Sequence, residues 1–162
     1  MIKMKVKIVG MDQNTMIPVV VITDPEEKGF IPILIGHAEA AAILSELEGT
    51  RPQRPMTHDL LKNTIDALDA KVERVVICDL KDETYFARII VSTPDGEKEL
   101  DARPSDAIAL ALRARADVYV SEEVAARALI SNKPIDDSEM EDFRKFLETV
   151  KPEDFEKHLS KE

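Results

Sequence analysis

The run Ala107-Ile108-Ala109-Leu110-Ala111-Leu112 constrains the fold most. A helix that is apolar on every side does not lie on a surface, so this one is expected to be a central packing element. It follows a charged entrance, Asp101-Ala102-Arg103-Pro104-Ser105-Asp106, in which Pro104 suits the first helical position. A second entrance of the same character, Arg54-Pro55-Met56-Thr57-His58-Asp59-Leu60-Leu61, lies earlier in the chain. An ordinary helix start needs one polar cap. Two starts that each carry both charge signs point either to buried ion pairs or to a site for an anionic ligand.

The elements around these entrances can be read from periodicity and turn chemistry. Strands are expected at about 2–11, 16–23 and 30–35, separated by Asp12-Gln13-Asn14-Thr15 and Asp24-Pro25-Glu26-Glu27-Lys28-Gly29. A helix follows at about 37–48, with Ala40, Ile43, Leu44 and Leu47 at helical spacing and Gly49 at its C-terminal cap. Beyond the link Arg51-Pro52-Gln53-Arg54-Pro55, Thr57 is placed to cap a helix bearing Leu60, Leu61, Ile65 and Leu68. The pattern then begins again, with strands at about 71–80, 84–93 and 97–102 and a helix from Pro104. A short strand, Val118-Tyr119-Val120, and a Ser121-capped helix to about Ile130 complete this half.

Aligning Ile35-Gly36-His37-Ala38-Glu39-Ala40 with Ala102-Arg103-Pro104-Ser105-Asp106-Ala107 sets Glu39 opposite Asp106, each in the first turn of a helix after a third strand. The expected fold is therefore α+β: duplicated β-β-β-α units about a pseudo-twofold axis, with antiparallel-rich sheet and a C-terminal helical tail. The main domain is expected over residues 1–131 and an acidic amphipathic tail over 132–162. In the tail Ser138 and Glu141 form a capping box, and Met140, Phe143, Phe146, Leu147 and Val150 an apolar face suited to docking on the domain or on a second subunit.

Net charge is -10, which disfavours non-specific adhesion to nucleic acid or anionic membrane. Residues 136–162 hold 10 acids against 5 bases, half of that excess, so the body is neutral enough for a local basic patch. Aromatics are 4% of the chain and Trp is absent, so no stacking platform for bases is visible. Lys3, Lys5 and Lys7 alternate along the first strand, as on the solvent face of a protected edge strand. The single Cys78, in Val75-Val76-Ile77-Cys78, excludes an intrachain disulfide and suits packing in a reducing cytoplasm. No run approaches the roughly 20 apolar residues of a membrane helix, and the alternating start is unlike a signal peptide. A soluble cytoplasmic protein is expected.

Glu39, Asp59, Asp101 and Asp106 are the carboxylates available for chemistry, His37 and His58 the bases, and Arg51, Arg54 and Arg103 the candidate phosphate ligands. Each has a structural alternative. Asp59 and Asp106 lie where a carboxylate offsets a helix dipole by about 0.3–1 kcal/mol. Arg54 and Arg103 can pair with those carboxylates, and Asp101 can orient Arg103. His37 reads as a surface residue and His158 as incidental. No dense metal motif such as His-Glu-x-x-His occurs.

The two entrances, together with Ile33-Leu34-Ile35-Gly36 ahead of Glu39-Ala40, resemble the bifunctional nuclease domain family over residues 3–131. The family takes its name from plant members described as cleaving both RNA and DNA. Those members carry an added C-terminal module that resembles a motif of excision-repair proteins, and the tail from Ser131 lacks its pattern. The resemblance implies a nuclease of low sequence specificity. In this reading Glu39, Asp59 and Asp106 hold a divalent metal, magnesium or manganese, or activate water; His58 carries the proton; and Arg54 and Arg103 bind the phosphate of an RNA or DNA substrate. A homo-oligomer, most simply a dimer, is expected, with no membrane partner. Two alternatives are a non-enzymatic oligomeric binding or regulatory domain, and an enzyme acting on a small anionic metabolite.

Overall fold

The computed structural model describes residues 1–131 and Lys145, so the expected tail helix and its apolar face lie outside the described residues. The elements follow the order β1 (Ile2–Met11), β2 (Pro18–Thr23), β3 (Gly29–Leu34), α1 (His37–Glu48), α2 (Thr57–Ala67), β4 (Lys71–Lys81), β5 (Thr84–Thr93), β6 (Gly96–Ala102), α3 (Pro104–Ala114), β7 (Asp117–Val120), α4 (Glu122–Ala128) and β8 (Ile130–Ser131). The α+β expectation holds. The order β-β-β-α occurs twice, with α2 between the two occurrences.

All eight strands join one sheet in the order β6-β5-β4-β7-β1-β2-β3-β8. Its pairs are antiparallel except β4 with β7. The two meanders, β4–β6 and β1–β3, thus lie on either side of β7. Strand β1 serves both halves: Ile2–Met4 pair with β7, and the stretch from Lys5 to Met11 pairs with β2 across an irregularity at Val6/Ile8. This corrects the reading of β1 as an edge strand, because it stands between β7 and β2 in the sheet, although each pairs with a different stretch of it. Their alternation is still a solvent face, and it is ion-paired: Lys3 with Asp117 at 2.8 Å, and Lys5 and Lys7 with Glu27 at 3.0 and 3.2 Å. The edge strand β6 is instead shielded by its charges, Glu97, Lys98, Glu99 and Asp101.

Helix α3 is the enclosed element its composition demands, with Ala107, Ile108, Ala109, Leu110 and Ala111 all fully buried. It packs against α1 and α2 on one side and against β4, β5 and β7 on the other. The alternating alanines let these neighbours approach closely, while burying Ile108 and Leu110 contributes about 1.5–3 kcal/mol each. Helix α1 ends where Gly49 turns left-handed at φ 69°, and the amides of Gly49 and Thr50 close on the carbonyls of Glu46 and Ser45. Ser121 caps α4 as expected, accepting the Val124 amide at 3.2 Å.

Helix α2 differs from expectation in two respects. Its cap position is Met56 rather than Thr57, and the side chain that closes the first turn is Asp59, which accepts the Met56 amide at 2.9 Å. The helix is also rotated. His58 and Ile65 are its buried residues, with Asp59 and Lys62 between them, whereas Leu60, Leu61 and Leu68 are exposed. The face turned toward α3 is thus the polar-led stripe 58, 59, 62 and 65, on which His58 and Asp59 find partners on α3.

Candidate active site

The two charged entrances meet. Asp106, in the first turn of α3, is held from two directions: His58 Nε2, from α2, lies 2.8 Å from its Oδ1, and Arg103 donates through Nε to its Oδ2 at 2.8 Å. Arg103 Nη2 donates onward to Glu39 Oε1 at 2.6 Å, so the first-turn carboxylates of α1 and α3 converge on one guanidinium. Gly36 permits this. A Cβ there would collide with the Glu39 carboxylate.

His58 is buried whereas the Arg103 side chain is 64% exposed, and Arg103 Nη1 has no hydrogen-bond partner among the described residues. The pair of carboxylates raises the Arg103 pKa further above its ordinary value, keeping the guanidinium charged. With Nε2 donating its proton to Asp106, the imidazole keeps Nδ1 as its basic nitrogen, and the carboxylate fixes that tautomer. His58, Asp106, Arg103 and Glu39 border a cavity of about 530 Å³. Its remaining wall is largely apolar, including Ala38, Ala41, Ala42 and Met56.

Asp59 belongs to a second constellation built on Arg113. Seven residues after Asp106, Arg113 emerges from the buried helix with its side chain only 5% exposed. It donates from Nε to Asp59 Oδ1 at 2.7 Å, from Nη1 to the Ala109 carbonyl at 2.9 Å and from Nη2 to the Ala42 carbonyl at 3.1 Å. One guanidinium thereby ties α3 to α2 and α1. Burial pushes the Asp59 carboxyl up, but the Met56 amide and Arg113 outweigh it and hold the pKa below the ordinary value. Arg113 follows directly on the apolar run, and sequence alone gives it no role. Its heptad spacing from Asp106, which puts both on one face of α3, is the signal that could have found it.

Arg54 pairs with neither Asp59 nor any other described residue; it lines a separate cavity near α2. His37 is exposed at the start of α1, as expected. Glu39, Asp59 and Asp106 are not gathered as a ligand set, and no group of three His, Cys, Asp or Glu among the described residues is placed to hold a metal ion. The two carboxylates that do converge have Arg103 as their shared cation. A divalent ion therefore does not fit these donors in this arrangement. Among the described residues, no helix is long and apolar enough to cross a membrane.

The bifunctional nuclease domain model matches residues 20–133, most of the strands and both entrances. The chain belongs to this family. A relative from Mycobacterium tuberculosis, named as an uncharacterized protein, is 38% identical over 93% of this chain and 97% of its own length. Bifunctional nuclease 1 of Oryza sativa subsp. indica is 26% identical over 59% of this chain, and bifunctional nuclease 1 of Arabidopsis thaliana is 25% identical over 67%. Those matches cover 30% and 34% of the plant proteins, so this family domain corresponds to about a third of each.

Proposed function

We propose that this bifunctional nuclease domain hydrolyses phosphodiester bonds of RNA and DNA with low sequence specificity, using the cavity shared by α1, α2 and α3. The observation that carries the reading is the Arg103–Asp106–His58 chain at that cavity, a base oriented by a carboxylate beside a cation with a free donor edge. Names of the plant relatives support the same class of reaction.

In this reading Arg103 Nη1 receives a non-bridging phosphate oxygen and stabilises the charge that grows there as water attacks phosphorus. The water gives its proton to His58 Nδ1, the new P–O bond forms, and the bond to the leaving oxygen breaks. That oxygen then takes a proton from the imidazolium, which returns His58 to its starting state. Asp106 and Glu39 position the two working groups. Asp59 supports the α2 entrance through Arg113 and stays outside the chemistry. General-base catalysis of this kind contributes about 10²–10⁴-fold.

Metal assistance by magnesium or manganese enters this reading only if substrate draws Arg103 away from Glu39 and Asp106 and frees both carboxylates. The equivalence of Glu39 and Asp106 in the twice-occurring β-β-β-α order supports duplication as the origin of their shared contact. A cavity of about 530 Å³ also has the size of a small-molecule site, which supports a phosphorylated metabolite as the second reading.

The test is hydrolysis of end-labelled single-stranded RNA and DNA by highly purified protein, in EDTA and with added magnesium or manganese, alongside His58→Gln. Cleavage abolished in His58→Gln is the expected result. Cleavage that is equal in the two proteins, or absent from both, overturns the reading. Cleavage in EDTA assigns the charge stabilisation to arginine rather than metal.

A further inference from the structure

A second cavity, of about 430 Å³, opens between the α1–α2 connection, the first turns of α2 and the C-terminal end of α3. Five cationic side chains line it against two carboxylates. Both carboxylates face Arg113, Asp59 at 2.7 Å and Glu46 at 4.0 Å, while Lys62 pairs with Asp66. What remains is Arg51, Arg54 and Arg115, all exposed and all without an ion pair or hydrogen bond among the described residues. Outside this cavity Arg74, Arg88 and Arg103 each hold a carboxylate.

In a chain of net charge -10, three like charges left together around one concavity need a reason. Arg115 sits left-handed at φ 54°, a conformation that costs a non-glycine residue about 1–2 kcal/mol and that glycine takes freely. Its charge also complements the C-terminal end of the α3 dipole, which accounts for Arg115 but not for Arg51 and Arg54. Those two stand in the link Arg51-Pro52-Gln53-Arg54-Pro55, where each proline restricts the backbone of the arginine next to it and limits the entropy given up on engaging a ligand. Finally, the two cavities are neighbours: Pro52 and Arg113 border both.

We infer that Arg51, Arg54 and Arg115 form a phosphate-binding subsite that takes a backbone phosphate of a polynucleotide, next to the phosphate held at Arg103. This rests on the hydrolase reading only for the identity of the anion, since binding at the three arginines requires no bond cleavage. The chain path then runs from the His58 cavity past Pro52 to the end of α3. It also supplies the basic patch that no stretch of sequence displays, because Arg115 is brought to the other two only by the fold.

The test is fluorescence anisotropy of a labelled single-stranded DNA of about 12 nucleotides. It is bound to the full chain carrying Asp106→Asn, with and without Arg51→Ala and Arg115→Ala, between about 50 and about 300 mM salt. The added substitutions should weaken binding about tenfold and lower the slope of log affinity against log salt by about 0.7 for each phosphate no longer neutralised. Both altered residues are exposed, and matching melting curves would show that the fold is intact. Unchanged affinity and slope would overturn the subsite even if the parent protein proves to be a nuclease. The expected weakening would uphold it even if the parent cleaves nothing, in which case the hydrolase reading falls and the subsite stands. A calorimetric titration with pyrophosphate separates the sources: pyrophosphate binding that needs the arginines, beside DNA binding that does not, would reject the polynucleotide.

Discussion

Arg113 and Arg103 provide the sharpest contrast in this molecule, since both are arginines that bridge helices but only one is buried. Removing Arg113 strands the Asp59 carboxylate, which is 24% exposed, and deprives the carbonyls of Ala109 and Ala42 of a donor. Breaking a buried pair from one side costs about 3–5 kcal/mol, and because Asp59 retains some water the lower figure applies. For a domain of this size about 3 kcal/mol corresponds to a fall in Tm of about 6–12 °C in Arg113→Ala. Lysine should recover little of it, because a single ammonium cannot reproduce the guanidinium fork that reaches α1 and α2 together. Arg103→Ala removes two ion pairs, to Glu39 (15% exposed) and to Asp106 (27% exposed, and still held by His58), but the arginine itself is 64% exposed and water can take its place at both carboxylates, so screening leaves about 1 kcal/mol or less, a shift of about 4 °C at most. Thermal unfolding followed by circular dichroism measures both. An Arg113→Ala Tm within about 2 °C of the parent, or an Arg103→Ala drop as large as that of Arg113→Ala, would refute the division into a structural and a functional arginine.

Further outcomes follow from the same interactions. Because the folded-state pKa of Asp59 is depressed, its contribution is present above the ordinary value of about 3.9 and is lost as pH falls through the folded value. Asp59→Asn should therefore be less stable than the parent at neutral pH and converge with it as pH falls through the folded-state pKa, as read from melting curves across pH; a constant gap would contradict this. Gly36→Ala forces the Glu39 carboxylate off Arg103 while costing about 1 kcal/mol at the helix cap, so activity should fall far more than Tm, and unaltered turnover would count against Glu39 as a positioning residue. Ala109→Leu places extra volume on the enclosed helix and should destabilise by about 1–3 kcal/mol in denaturant unfolding; a neutral result would mean that α3 is less tightly enclosed than its burial indicates.

The strand and helix order is legible because turn chemistry and apolar periodicity agree along most of the chain, and the Ala107–Leu112 run announces its enclosure directly. Sequence does not show which face α2 turns inward. Leu60, Leu61 and Leu68 look like a core stripe until Asp59 and His58 are seen to have partners on α3. The same limit applies to the site. Glu39, His58, Arg103 and Asp106 are recognisable as chemistry-bearing residues, but Arg103 and Glu39 are 64 positions apart, and only the meeting of α1 with α3 closes that gap. Arg113 escapes a reading of the sequence because a basic residue in the last turn of a helix looks like dipole compensation. Likewise β1 looks like an edge because its pairing with β7 joins residues from opposite ends of the domain.

The most direct measurement is the rate of single-stranded RNA and DNA hydrolysis by the purified full chain and by Asp106→Asn, which keeps the side-chain shape but removes the charge that orients His58. The account predicts cleavage by the parent and a fall of about 10²–10⁴-fold in the variant, with its folded structure retained. Equal rates in the two proteins, or no hydrolysis by the parent, would contradict it.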